Sequence, residues 1–460
     1  MNKITIIPLL CAVLFTTGCG TGPAETADPE KETPDSVSTK IPDEQSTGDT
    51  QMIQAVYPAS EAESISSEAF LTGESHWDWW QEYREAVDTS RELQQDMDDY
   101  YAAIQKELLI TAEDHNTVCS PLNIYIALSA LSEVSDGNTR AQILDVLQAP
   151  DINSLRSRAS ALWNANYLDT PAVKSLLADS LWLRNDIAYN EETLQRLADI
   201  YYASSFSGQM GSAELNKQLQ EWTDKNTGGQ LSDYTKDMSL DERTILGLVS
   251  AIYFKASWTD RFYPERTDTA VFHGAAGDTD VQMMHRDLMT SLYQTEHFRA
   301  VGLNLTDSGT MYFFLPKEGT DVKDLAADRD VLSICRNTWT KDTAFPIVHL
   351  SVPKFHISGK TDLLESLRNL GITDALNPDL ADFTPLTNEA DQIFVNAAEH
   401  AAMVEIDEEG VTGAAYTELA MAGAGMPQEE TDFVLDRPFF FSVVSPDNSL
   451  LFSGIVQTIE

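Results

Sequence analysis

A search for side chains able to do covalent or acid–base work finds almost nothing assembled. The sequence holds no G-x-S-x-G elbow, no Walker loop, no H-E-x-x-H and no C-x-x-C pair, the short patterns that place a nucleophile, a phosphate cradle or a metal. His273 and His285 lie near Asp278 and Asp280, but the spacing fits no metal-ligand template and they read as loop histidines. A hydrolase with a scattered triad would leave no local signature, and nothing here points to one. No cofactor and no metal is called for. Cys11 and Cys19 sit at the extreme N-terminus. Cys119 lies in an apolar run and reads as a buried inert thiol, and with Cys335 far along the chain no disulfide can be argued. What stands apart is DEEGVTGAAYTELAMAGAGMP, residues 407–427. Acids precede a glycine, then come small residues with almost no charge and no histidine, cysteine or lysine. Such a segment cannot act on a substrate by itself.

The elements around that stretch follow from composition and periodicity. At 460 residues and 42% hydrophobic, the chain can bury one large core or two ordinary ones. A formal net charge of -43 argues against nucleic acid, whose phosphates need basic surface, and against anionic headgroups. Met1-Asn2-Lys3, the apolar Ile4 to Phe15 and the small residues before Cys19 read as a secretory signal over residues 1–18. Residues 19–56 are rich in Pro, Thr, Ser, Asp and Glu and read as a disordered tether. A coil of about thirty residues would reach roughly 30 Å. Residues 57–89 cluster Trp77, Trp79, Trp80 and Tyr83, a Trp-rich extension read as a helix packing back on the domain, with a partner-binding patch as the alternative.

The main domain runs over 90–460. Leu93, Met97, Tyr100, Tyr101, Ile104 and Leu108 follow helical spacing. Ser120 caps and Pro121 opens a helix whose Leu122, Ile124, Ile126, Leu128 and Leu131 leave no polar face, so it is buried. Gly137 ends it, and Thr139 with Gln142 forms a capping box for the next. LGLVSAIYFKASW (246–258) suits a strand buried on both faces. VHLSVPKFHIS and IFVNAAEHAAMVEI read as further strands. RPFFFSVV and SLLFSGIVQTI form a C-terminal hairpin around Ser445-Pro446-Asp447-Asn448. Helices early and strands late, without alternation, make the chain α+β.

Taken as a set, these segments resemble the serpins, the serine protease inhibitor superfamily. NTVCSPLNIYIALSAL resembles the family's buried second helix, and EWTDKNTGGQL its W-V-x-x-x-T-x-G-x-I stretch with Thr223 in place of Val. LVSAIYFKASW, VQMMH and VPKF follow in family order, and FVLDRPFFFSV fits the C-terminal signature. The resemblance covers about residues 90–460. It implies three β-sheets, about eight or nine helices and an exposed reactive-centre loop. It also implies a protein that is no enzyme but a suicide-type inhibitor: a protease attacks the loop, forms an acyl-enzyme, and is dragged as the cut loop inserts into the main sheet. The alternative is a non-inhibitory serpin acting as a binding or storage module. Separately, the Gly18-Cys19 ending resembles a bacterial lipobox, with Thr16 where Leu is usual. It would make Cys19 the lipidated first residue of a secreted, cell-surface or envelope protein; cleavage without lipidation is the alternative. The implied partners are a target protease in a covalent complex and a membrane reached only through Cys19, with the chain a monomer.

The resemblance makes Glu408, Glu409, Gly410, Val411, Thr412, Gly413, Ala414, Ala415, Tyr416 and Thr417 the hinge. Alternation of side chains along a strand sorts them physically. Val411, Gly413, Ala415 and Thr417 form a small, uncharged face fit for burial, and Thr412, Ala414, Tyr416 and Glu418 form the other. Val411 stands where inhibitory members have Thr or Ser, and Tyr416 interrupts a run that is normally small. Counting from Gly410 as the family does puts the reactive bond at Ala424-Gly425, with Met421, Ala422 and Met426 as alternatives. No Lys or Arg lies between Arg368 and Arg437, so proteases whose pocket carboxylate needs a basic partner are poor targets, and elastase-like or subtilisin-like enzymes fit better. Ser120, Asn123, Ser250 and His400 take the shutter positions under the main sheet, and Trp258 its upper opening point. The family has Asn at 250 and Ser at 123; the exchange here either preserves a network with His400 or is independent drift.

Overall fold

The computed structural model describes residues 51–57, 74–110, 115–170, 173–226, 228–229, 232–388, 393–411 and 429–459. The signal at 1–18, Cys19 and most of the tether lie outside them.

Three sheets carry the fold. The largest runs in the order β1 (Gln51–Ile53), β5 (Ala203–Gly208), β4 (Val173–Arg184), β6 (Leu246–Ser257), β15 (Gly410–Val411), β14 (Val395–Ile406), β13 (Phe355–Asp362), with β3 (Leu168–Asp169) beside β4. The second runs β2 (Thr117–Cys119), β18 (Leu450–Val456), β17 (Phe439–Val444), β11 (Gly309–Pro316), β10 (Phe298–Leu305), β9 (Leu292–Gln294). The third is β16 (Glu430–Val434), β12 (Ile347–Pro353), β8 (Gly277–Met289), β7 (Thr267–Gly274). Ten α-helices, the shortest the single turn Ser232–Thr235, complete the described residues.

The unbroken apolar run of β6 has a physical reason. Leu246, Leu248, Ile252 and Phe254 point into the main core. On the opposite face Val249 packs with Trp182, Leu215 and Leu219, the leucines coming from the helix Ala213–Asn226. A strand covered on both sides has no polar face. The helix Pro121–Glu133 is buried along its whole length, and the Ser120 hydroxyl accepts the Asn123 N–H. It packs against β4 and β6 of the largest sheet and against β18 of the second.

Local chemistry is overruled at the next helix. Val134 caps the first helix, and Gly137 opens the second (Gly137–Val146) instead of closing its predecessor. Thr139 and Gln142 therefore lie inside the helix and form no capping box. Thr139 accepts the Asp382 N–H at 3.0 Å, and Gln142 accepts the N–H groups of Thr373 and Asp374. Tertiary partners claim both side chains. His273 and His285 also differ from expectation: they lie in β7 and β8, where His273 meets Asp278 and His285 bridges Ser351 and Asp268.

At the N-terminal side, residues read as tether belong to the fold. Gln51–Ile53 pair antiparallel with β5, the buried Ala55 donates its N–H to Ser204 Oγ, and Tyr57 stacks on Trp163 and Tyr167. The aromatic segment forms the helix Glu74–Leu93, which crosses the expected domain boundary at 89/90 and packs on the helix Ile152–Asn166. Trp79 and Trp80 are half-buried and contact the Tyr83 ring. Cys119 and Cys335 are both buried and free, and burial pushes each thiol up to about 12.

Candidate functional site

The segment that first stood out begins where β14 ends. Asp407 turns the chain: its Oδ1 accepts the N–H groups of Glu409 (2.8 Å) and Gly410 (3.1 Å), and its own N–H donates to Gly410 O. The indole N–H of Trp258, at the end of β6, donates to Asp407 O at 2.9 Å. The backbone N–H groups of Trp258 and Phe262 donate to the carbonyls of Glu409 and Glu408. Glu408 is fixed by its side chain as well, accepting from Thr267 Oγ1 (2.8 Å) and pairing with Lys354 Nζ (2.6 Å). Burial works against its charge, yet Lys354 and Thr267 hold the carboxyl below its ordinary value. Glu409 reaches Arg261 at 3.4 Å.

The turn delivers Gly410 and Val411 between β6 and β14. Gly410 opposes Ser257, and Val411 opposes Ala256 on one side and Ile406 on the other, antiparallel to both strands. A Cβ at 410 would stand 2.2 Å from the Ala256 carbonyl oxygen, so only glycine passes here. Val411 is fully buried in the main core. Below it the two flanking strands do not meet. β6 and β14 are parallel partners from Val395 opposite Leu246 to Ala401 opposite Ala251. Residues 252–255 and 402–405 are not paired with each other. The large sheet is thus closed at its lower half and open above, with a two-residue strand wedged into the top.

The shutter positions lie where the closed half begins. His400 sits opposite Ser250. The Ser120 N–H donates to His400 Nε2 at 2.9 Å. Asn123 Nδ2 donates to Ser250 Oγ at 2.6 Å and to Ala251 O at 2.9 Å, and Ser250 Oγ lies 3.4 Å from His400 Nδ1. All four residues are buried. Burial pushes His400 down to about 4, so the ring is neutral at pH 7. With Nε2 accepting, its proton is on Nδ1, facing Ser250. Asn123 and Ser250 thus meet each other directly.

Comparison with known proteins agrees with this architecture. The family described as Serpin (serine protease inhibitor) matches residues 97–458. The chain is a serpin. Among its relatives, alpha-1-antiproteinase of Rattus norvegicus is 29% identical over 80% of this chain and 89% of its own length. Leukocyte elastase inhibitor of Sus scrofa is 30% identical over 74% and 92%. Of solved structures, a thermophilic serpin, tengpin, in its native state superposes with a TM-score of 0.72 at 20% identity, covering 90% of this chain and all of that one. A serpin from Arabidopsis in its native stressed conformation gives 0.70 at 25% identity, covering 80% and 98%.

In this serpin the rest of the hinge, Thr412 to Thr417, and the bond candidates Met421, Ala422, Ala424, Gly425 and Met426 lie outside the described residues. The chain is picked up again at β16, which runs parallel to β12, with Arg299 donating to Asp432 O and Thr431 Oγ1. Sequence reasoning did not single out Asp407, Thr267, Lys354 or Phe262 as supports of the hinge. Asp407 two and three residues before the N–H groups it caps is a local pattern that was readable; Thr267 and Lys354 are brought in from distant segments and carried no such signal.

Proposed function

We propose that this serpin is a suicide-type inhibitor of a serine protease. The observation that carries the reading is β15, seated between β6 and β14 above the stretch where those strands are unpaired. Continuing its register downward gives every following residue two neighbours. Gly413 falls opposite Phe254, Ala415 opposite Ile252, and Thr417 between Ser250 and His400. These residues share the core-facing side with Val411, and each is small or medium and uncharged. On the other face Tyr416, the one bulky member, falls between Ala251 and Ala401, two alanines that leave room for a ring. The loop sequence and the receiving strands are complementary position by position.

The chemistry belongs to the protease. Its serine oxygen bonds to the Ala424 carbonyl carbon, the Ala424–Gly425 amide breaks, and the Gly425 amine leaves with a proton from the protease's own acid. Insertion of the freed strand between β6 and β14, first along the open stretch and then by parting the paired half, supplies backbone hydrogen bonds and burial, and it carries the acyl-enzyme away from Gly425 before water can release it. The absence of Lys and Arg from 369–436 favours elastase-like or subtilisin-like targets, and the relatives named for antiproteinase and elastase inhibition agree with that class. Export by residues 1–18 and lipidation at Cys19 would place the inhibitor on a bacterial cell surface or envelope, acting as a monomer. The test is incubation with pancreatic elastase and with subtilisin. The expected result is a covalent complex that survives SDS, and a large rise in melting temperature once the loop is cut. Clean cleavage with neither complex nor stabilisation would overturn the reading in favour of a non-inhibitory serpin.

A further inference from the structure

Beside the shutter lies a buried acid. Asp179, on β4, is directly opposite Ser250 in the β4–β6 register and 1% exposed. Neither of its carboxyl oxygens has a partner at hydrogen-bond geometry, and the same is true of Oδ1 of Asn123, the residue whose amide N–H meets Ser250. None of the described ion pairs reaches it. Ser250 Oγ receives the amide N–H of Asn123 and the Nδ1–H of His400, which occupies its acceptor capacity. Its own O–H is left to donate, and the acceptor opposite is Asp179. A neutral carboxyl can take that donor on one oxygen and offer its own proton to Asn123 Oδ1. A carboxylate can only take the donor, and it leaves a buried charge with no cation.

We infer that Asp179 is held as the carboxylic acid and acts as a proton-dependent lock on the large sheet, completing the Ser250–Asn123–His400 network when protonated and loosening it when ionised. The inference rests on the proposed opening of the sheet at the β6–β14 seam. Burial pushes the Asp179 carboxyl well up, with the Ser250 hydroxyl as the counteracting pull. The titratable groups facing it are Tyr57, from the N-terminal segment, whose hydroxyl is raised by burial and by Asp179, and His400, on β14 beyond Ser250. Both are neutral at pH 7. A carboxyl raised on folding contributes stability that is full below about 3.9, the unfolded value, and is lost as pH rises through the folded value. His400 acts in the opposite direction: its depressed value removes stability as pH falls from about 6.5 toward about 4. The two effects offset each other between about 4 and 6.5, and at higher pH only the Asp179 loss remains, so the uncut protein should weaken as pH rises beyond that range.

The experiment follows the melting temperature of the uncut protein, and its half-time of spontaneous loop insertion on warming, across pH 5 to 9. Wild type is compared with Asp179→Asn and Asp179→Ala. Asparagine keeps one acceptor and one donor set without a charge, so its alkaline limb should be flat. Wild type should convert faster with rising pH, by up to about tenfold per pH unit below the folded Asp179 value, and level off once the acid is ionised. Alanine should be weakened at every pH. An Asn variant that reproduces the wild-type alkaline limb, or that is as weak as Ala at low pH, overturns the lock. Neither readout uses a protease, so failure to trap elastase or subtilisin would count against the inhibitory reading and leave this result to be judged separately.

Discussion

At Gly410 and Val411 the hinge is decided by contacts within a few ångströms. Gly410 has the Ala256 carbonyl where a Cβ would be, and Val411 has no exposed surface at all. Valine in place of the family's Thr or Ser keeps the β-branched shape that suits a strand and removes a hydroxyl that burial would oblige to find a partner. A charge at this position has nowhere to go. Val411→Glu should cost on the order of several kcal/mol in the seated arrangement, expel β15 from the seam and slow insertion after cleavage. The expected outcome with elastase or subtilisin is a shift from covalent complex to cleaved product, read from the stoichiometry of inhibition; unchanged stoichiometry would show that Val411 does not lead insertion. The alternation that marks Val411 as inward-facing was readable from the sequence. That Asp407 folds the chain back to seat it was also local enough to be found.

Between strands, the informative feature is what β6 and β14 offer to a newcomer. Their closed half pairs Ala251 with Ala401, and by register the same two residues would flank Tyr416. A larger side chain there should block the seat. Ala251→Leu is expected to stop insertion after Ala415, so that protease is released and more inhibitor is consumed per enzyme. Adding Tyr416→Ala to the same chain should recover part of the loss, because it vacates the space that the introduced leucine side chain would take. No recovery would mean that Tyr416 and position 251 never meet. Tyr416 looked like a departure from the pattern when only the loop was read. On the proposed register the matching alanines sit on β14 and, far back in the chain, on β6, and only pairing brings those two together.

Across the whole molecule, a buried carboxylate ties the N-terminal helix to the C-terminal hairpin. Asp447, fully buried in the turn between β17 and β18, accepts from Ser90 Oγ (2.6 Å), Asn166 Nδ2 (3.0 Å) and both the N–H and hydroxyl of Ser449. Gln94 donates to its carbonyl, and Arg336 donates in turn to Gln94 and to the Asn448 carbonyl. Asp447→Ala strands several donors at once and should cost about 3 kcal/mol, lowering the melting temperature of the uncut protein by a few degrees. Calorimetry that shows no change would mean that this network does not hold the helix Glu74–Leu93 to the hairpin.

The chain by itself determined its class and its working segment. The apolar run of β6, the buried helix after Ser120, the C-terminal hairpin and the alternating hinge are local patterns, because periodicity and capping act over a few residues. The tertiary structure decided the rest. It reassigned Thr139 and Gln142 from a cap to distant backbone partners, drew Gln51–Ile53 out of an apparent tether into a sheet edge, and put Asp179 opposite Ser250. It also showed the large sheet closed below Ala251 and open above it. Those facts depend on which strands lie side by side, and strand pairing joins residues hundreds of positions apart whose spacing in sequence carries no period. The bland stretch at 407–427 was legible in sequence as an alternating strand; the seam between β6 and β14 that would receive it was not.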